Sequence, residues 1–248
     1  MIHIEHEGSV TIARLERGPT NALNLELIQE LAEMFRTVRC DPEVRGLVLG
    51  GNEKFFSIGF DIPQLFPLDR EGFRTFYQAY NRACIDLYTL PKPTVAAIAG
   101  HAIAGGSILA LCCDYRFIAE GRKLMGLNEI KLGVPIPYPG DCVLRQLVGA
   151  RIARDMMEIG DFYQADVLLR MGVVDDVLPA ERVLPRAVER AESLGAYPQR
   201  AFTMIKRNRV ETVEEQIRTG LDERETCFMD CWFSDEARGR LKAAMERF

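Results

Sequence analysis

Residues 92–133 read KPTVAAIAGHAIAGGSILALCCDYRFIAEGRKLMGLNEIKLG. Thr94 to Ala99 is an apolar strand, and Gly105 and Gly106 precede a small-residue helix over Ser107 to Cys112. Tyr115 to Ala119 is a second strand. Leu124 to Leu127 is short extended structure that leads into Asn128 and Glu129. Strand and helix alternate at this spacing in α/β folds, so the stretch places the chain in that class.

The same residues carry the candidate chemistry. Successive glycines at a helix start allow close backbone approach and leave unpaired amides there. A developing negative charge suits that position, because the amides and the helix dipole both point at it. Close packing of small residues against a sheet explains the glycines equally well, and the pattern alone leaves both readings open. Glu129 stands among Met125, Gly126, Leu127, Ile130 and Leu132, with Lys131 as the nearest charge. Burial would raise its pKa toward the range useful for proton exchange, whereas an edge position would leave it an ordinary surface acid.

Towards the N-terminus, Ile2 to His6 and Val10 to Leu15 alternate around Gly8 and predict a hairpin. Asn24 is placed to cap a helix over Leu25 to Arg39, which Asp41 and Pro42 end. Val44 to Leu49 is a short strand. Ser57, Ile58 and Gly59 then lie just beyond a strand end, where open α/β folds put ligands. Phe73, Phe76, Tyr77, Tyr80, Cys84 and Leu87 form the apolar stripe of a further helix between Pro67 and Leu90.

Towards the C-terminus, Pro135, Pro137 and Pro139 interrupt regular structure. Helices are expected over Asp141 to Val148, with Asp141 as cap, and over Ile152 to Glu158 and Gln164 to Arg170, followed by a strand-like Val173 to Leu178. From Ala180 the pattern is helical alone: Arg182 to Ser193, Arg200 to Arg207, Thr212 to Asp230 and Ser234 to Glu246. The expected division is thus an α/β core over 1–179 and an all-helical region over 180–248 that covers the core or mediates assembly.

With 248 residues, 48% hydrophobic and 27% charged, the chain can bury a sizeable core. Its net charge of −5 and pI of about 5.4 argue against a broad nucleic-acid face. Seven cysteines without C-x-x-C spacing suggest reduced thiols and a cytoplasmic setting. The alternating N-terminus does not fit a secretory signal, and the apolar run from Pro93 to Cys113 fits buried structure better than a membrane span. Neither GxGxxG nor GxxxxGK[ST] occurs at the strand-to-helix junction, and His3, His6 and His101 lack metal-ligand spacing, so no nucleotide cofactor or metal is expected.

NALN at Asn21 to Asn24, FSIGFDI at Phe56 to Ile62, the strand-turn-helix from Pro93 to Asp114, GLNEIKLG at Gly126 to Gly133 and the segment from Ala165 to Pro179 occur in an order that resembles the crotonase, or enoyl-CoA hydratase/isomerase, superfamily. GLNE, AGG and the aliphatic residue at 108 further resemble its mitochondrial-type 3,2-enoyl-CoA isomerases. The resemblance implies a ββα superhelix with a C-terminal all-helical extension, a homotrimer or dimer of trimers, and an acyl-CoA substrate with no separate cofactor.

Carried onto this chain, it implies an oxyanion hole from the amides of Ile58 and Gly105, and Glu129 as acid/base. It implies an acyl pocket near Ile108, Pro135 and His101, and coenzyme A contacts at Ala22, Phe56, Asp61 and Lys206. The basic residues Arg207 and Arg209 accompany Lys206. The hydratases of the superfamily use two glutamates, and the first falls at Ile108, which can neither activate water nor carry a proton. Moving a double bond from the 3- to the 2-position needs one mobile acid and is the expected reaction. A hydratase-like lyase and a non-catalytic acyl-CoA-binding homologue are the alternatives.

Overall fold

The computed structural model describes residues 1–246. The expected hairpin is present: β1 (Ile2–Glu7) pairs antiparallel with β2 (Val10–Leu15) around Gly8, whose φ is +56°. Asn24 caps α1 (Leu25–Cys40), its side-chain oxygen accepting the Leu27 amide at 3.0 Å, and Asp41 ends it.

The chain then repeats one plan three times. β3 (Gly46–Gly50) and β4 (Phe55–Ser57) precede α2 (Ile62–Leu65) and α3 (Arg70–Tyr88). β5 (Thr94–Ile98) and β6 (His101–Ile103) precede α4 (Gly105–Leu111). β7 (Tyr115–Ala119) and β8 (Leu124–Gly126) precede α5 (Glu129–Leu132) and α6 (Tyr138–Ile159). A closing unit runs β9 (Phe162–Gln164), α7 (Ala165–Met171) and β10 (Asp176–Leu178).

The first strand of each turn joins a six-stranded sheet ordered β1-β2-β3-β5-β7-β10, and the second joins a four-stranded sheet ordered β4-β6-β8-β9. Pairing is parallel except at β1–β2 and β8–β9. This is the α/β, ββα superhelix, and its second sheet sets the ends of β4, β6 and β8 side by side.

Three helices complete the described chain: α8 (Ala180–Gly195), α9 (Gln199–Trp232) and α10 (Asp235–Met245). The all-helical C-terminal region is present, but 208–211 continue the helix of α9, so two of the expected helices are one. No Gly or Pro interrupts that segment, and Val210, Val213 and Ile217 keep one buried face across it. On the N-terminal side of β9, the helices expected on either side of Gly149 are both parts of α6, which kinks there at φ +75°. Asp141 lies in the first turn of α6, inside its start at Tyr138, and pairs with Arg145 at 2.8 Å.

Period-2 alternation explains how the sheet is covered. Val10, Ile12, Val48, Val95, Ala97 and Phe117 share one face and pack against Val183, Ala187, Val188 and Ala191 of α8. The opposite faces pack into the main core, to which α9 and α10 contribute Phe228, Met229, Trp232, Ala237 and Leu241. Among the described residues, no helix is long and apolar enough to cross a membrane.

Candidate active site

Two close approaches that require glycine and one hydrogen-bonded tie build the site. A Cβ on Gly106 would lie 2.4 Å from the Ser57 carbonyl oxygen, so only glycine lets α4 sit against the end of β4. Ser107 Oγ lies 2.6 Å from the Ala102 oxygen and accepts the Gly126 amide at 3.1 Å, tying α4 to β8. A Cβ on Gly126 would lie 2.4 Å from the Asp161 oxygen, so β9 also closes tightly on β8. The start of α4 and the start of α5 are thereby brought to one cavity.

That cavity has a volume of about 740 Å³ and is bordered by Ile58, Phe60, Gly105 and Glu129, a size suited to a small-molecule ligand. Glu129 is 5% exposed, and its Oε2 has no hydrogen-bond partner. Burial pushes its carboxyl pKa up to about 8, and its own backbone amide offsets this only in part. Lys131, the nearest cation in sequence, points instead to Asp161. The other bordering carboxylate, Asp61, is paired with Arg17 at 2.7 Å and caps α2 by accepting the Gln64 amide.

Gly105 is the first residue of α4, and its amide has no partner among the described residues, as expected for a helix N-terminus. Tyr80 donates its hydroxyl to the Gly105 carbonyl at 2.8 Å and fixes that peptide. Ala104, just before it, is held at φ +50°, a strained conformation for a residue with a Cβ. The Ile58 amide borders the same cavity but donates to the Thr20 carbonyl at 3.0 Å. One of the two expected oxyanion donors is therefore free and the other is engaged.

Ala22 and Asp61 border the cavity as well. Five of the other expected site residues stand elsewhere. His101 lies in β6 with its ring against Phe55 at 5.4 Å, and its Nδ1 accepts the Leu124 amide at 3.1 Å. Burial, then Lys123 and Lys54, push its pKa down, so it stays neutral and structural. Pro135 is exposed and does not border the cavity, whereas its neighbours Val134 and Pro137 do. Ile108 is fully buried behind the wall, with its side chain against Gly140. Phe56 is a core residue with no exposed surface.

Lys206 is 3% exposed and bonds Asp114 at 2.7 Å and the Lys92 carbonyl at 3.0 Å. Arg209 pairs with the same carboxylate. Burial opposes ionisation of Asp114, yet these two cations hold its pKa below the ordinary value. Lys206 is thus a structural cation that ties α9 to the turns before β5 and β7, with no free ammonium to offer a phosphate.

Sequence reasoning missed Arg17, Asn128, Phe228 and Trp232, all of which border the cavity. Asn128 was within reach of it, since the residue sits inside the quoted GLNE.

The sequence profile described as enoyl-CoA hydratase/isomerase matches residues 5–248. The chain belongs to the enoyl-CoA hydratase/isomerase family. Mouse (Mus musculus) mitochondrial enoyl-CoA delta isomerase 1 is 30% identical over 75% of the chain, which spans 65% of that protein's length. Crotonyl-CoA hydratase from Syntrophomonas wolfei is 28% identical over 99% of the chain and 95% of its own length. The crystal structure of human mitochondrial delta3-delta2-enoyl-CoA isomerase superimposes with a TM-score of 0.95 at 27% identity, covering 99% of this chain and 97% of that one. The family is therefore fixed, and isomerases and hydratases of similar identity stand on both sides of the question of reaction.

Proposed function

We propose that this family member is an isomerase that moves the double bond of a 3-enoyl-CoA thioester to the 2-position, with Glu129 as its single acid/base. The observation that carries the reading is the pairing of one unpartnered, buried carboxyl with one free helix-start amide at a single apolar cavity. Glu129 removes a proton from C2, and negative charge spreads onto the thioester oxygen. The Gly105 amide meets that oxygen, aided by the dipole of α4. The Ile58 amide joins when the oxygen takes the place of the Thr20 carbonyl, an exchange of one hydrogen bond for another. Protonated Glu129 then returns the proton at C4.

Hydration needs a second group to activate water. In this chain the corresponding position is Ile108, an enclosed hydrocarbon side chain. The acyl chain would run along Phe228 and Trp232, and the coenzyme arm would pass Ala22 and the Arg17–Asp61 pair, since these border the remainder of the cavity. A homotrimer or dimer of trimers belongs to the same reading, and the exposed Ile130, Ile159 and Phe162 offer apolar surface for it. Seven free thiols suit a reducing compartment such as the cytoplasm.

The test is to incubate the protein with trans-3-hexenoyl-CoA and with crotonyl-CoA, following 2-enoyl formation and water addition separately. The expected result is isomerisation without appreciable hydration, abolished in Glu129→Gln while thioester binding is kept. Rapid hydration, or binding without any turnover, overturns the proposal.

A further inference from the structure

Asn128 occupies the N-cap position of α5, where Asn ordinarily bonds the helix amides through its side chain. Here it does not. The Lys131 amide bonds the backbone carbonyl of Asn128 at 3.0 Å, and the side-chain oxygen Oδ1 is buried with no partner. Glu129 Oε2, on the next residue, is buried and unpartnered too, and both residues border the same cavity. Two adjacent buried acceptors without donors are costly. A protonated carboxyl carries one O–H donor of its own that could serve a neighbouring acceptor.

We propose that Asn128 is a positioning residue for the proton transfer: its side-chain carbonyl accepts the hydrogen of Glu129 whenever that carboxyl is protonated. This inference rests on the isomerase reading. The C2–H bond breaks and the proton passes to a Glu129 oxygen, its electron pair entering the dienolate. Asn128 Oδ1 then holds the O–H in one orientation until the O–H bond breaks and a C4–H bond forms. Nothing is gained or lost over the cycle, and the proton keeps one carrier.

The consequence is a pH profile tuned by a neutral amide. Other ionisable groups on the surrounding elements include Tyr77 and Tyr80 of α3, Tyr138, Asp141, Cys142 and Arg145 of α6, Tyr163 of β9, Glu225 of α9, Glu236, Arg238 and Arg240 of α10, and the Arg17–Asp61 and Lys131–Asp161 pairs. Burial keeps Tyr77 and Tyr80 neutral. All remain in place when residue 128 alone is changed.

The experiment measures kcat/KM for 3-hexenoyl-CoA against pH in wild type, Asn128→Leu and Asn128→Asp, with hexanoyl-CoA binding as the check on folding. Leucine keeps the volume and the dryness but removes the acceptor. Its profile should move to lower pH by about one unit, the worth of one hydrogen bond to the protonated form. Asn128→Asp should move it to higher pH, because a second carboxylate disfavours ionisation of the first. A loss of rate without movement of the midpoint makes Asn128 merely structural and overturns the proposal. An upward shift in Asn128→Leu also overturns it, since the amide N–H would then have faced the carboxylate. If Asn128→Leu does not fold, Asn128→Asp decides alone, and an unmoved midpoint there refutes the idea. Glu129→Gln separates the two layers: retained isomerisation in that variant removes Glu129 as the acid/base and this inference with it, whereas its loss beside unmoved Asn128 profiles removes only this inference.

Discussion

Replacing Glu129 by Gln should make the protein more resistant to unfolding at high pH and leave its pH-dependent stability unchanged at low pH. The carboxyl has an ordinary value of 4.5 and is pushed up to about 8 by burial. Below 4.5 it is protonated in both the folded and the unfolded chain and contributes no pH dependence. Between the two values the unfolded chain ionises Glu129 and the folded one keeps its proton. The native state then binds more protons, so unfolding free energy falls as pH rises. The interval from 4.5 to about 8, at roughly 1.4 kcal/mol per pH unit, comes to roughly 5 kcal/mol of native stability lost by pH 9.

Gln carries no titration, and its constant effects on packing cancel when two pH values are compared. Every other ionisable group is common to both proteins. Urea unfolding at pH 5 and pH 9, at one protomer concentration, therefore isolates the contribution of this carboxyl. The stability difference between variant and wild type should grow by several kcal/mol in favour of the variant between those pH values. A difference that is the same at both refutes the claim that Glu129 is held neutral by its surroundings. The same constant should govern catalysis, with kcat/KM for isomerisation rising with pH and levelling off above about 8.

Two further predictions concern residues that frame the site. Lys206→Met should destabilise the protein by roughly 3 to 5 kcal/mol in urea unfolding, because it leaves Asp114 buried beside Arg209 alone, while affinity of the folded protein for acyl-CoA stays unchanged. A drop in affinity without a drop in stability would restore Lys206 to the coenzyme site. Gly106→Ala should cost roughly 2 to 3 kcal/mol or more, since the new methyl would sit 2.4 Å from the Ser57 carbonyl oxygen. Normal stability and activity in that variant would show that α4 and β4 do not need their close approach.

The residues legible in the sequence were those whose meaning is local. Glu129 stood out as a lone acid in an apolar run, and Gly105 as a glycine ahead of a helix; both border the cavity. The hairpin, the Asn24 cap and the alternation of strand and helix follow from period and capping chemistry within a few residues. Phe228 and Trp232 escaped notice because α9 brings them to the cavity from the far end of the chain, and their stripe looks like any core stripe. Lys206 was misread for a related reason. A basic cluster in sequence does not reveal the buried Asp114, from a distant turn of the superhelix, that neutralises it. Pro135 and His101 lie beside true cavity residues in sequence, and the direction of a side chain at a turn or strand end is not encoded in spacing alone.

A carboxyl that must both take up and give back a proton near neutral pH has to be buried enough to lose its usual preference for ionisation. The surroundings that achieve this here are hydrocarbon, with Leu132, Val134 and Phe228 bordering the same cavity and Ile108 closing the wall behind it. The raised pKa of Glu129 thus has its physical origin in this burial. What the apolar wall cannot supply is stabilisation of negative charge on the thioester oxygen. In the proposed reaction that falls to the backbone at the start of α4, where the amide of Gly105 is free because a helix begins there. The strain at Ala104 and the close contacts at Gly106 and Gly126 are the structural cost of bringing that helix start to the carboxyl. On the isomerase reading proposed above, what separates this chain from a hydratase is the hydrocarbon of Ile108, buried behind the cavity wall, where the activation of water would need a polar group.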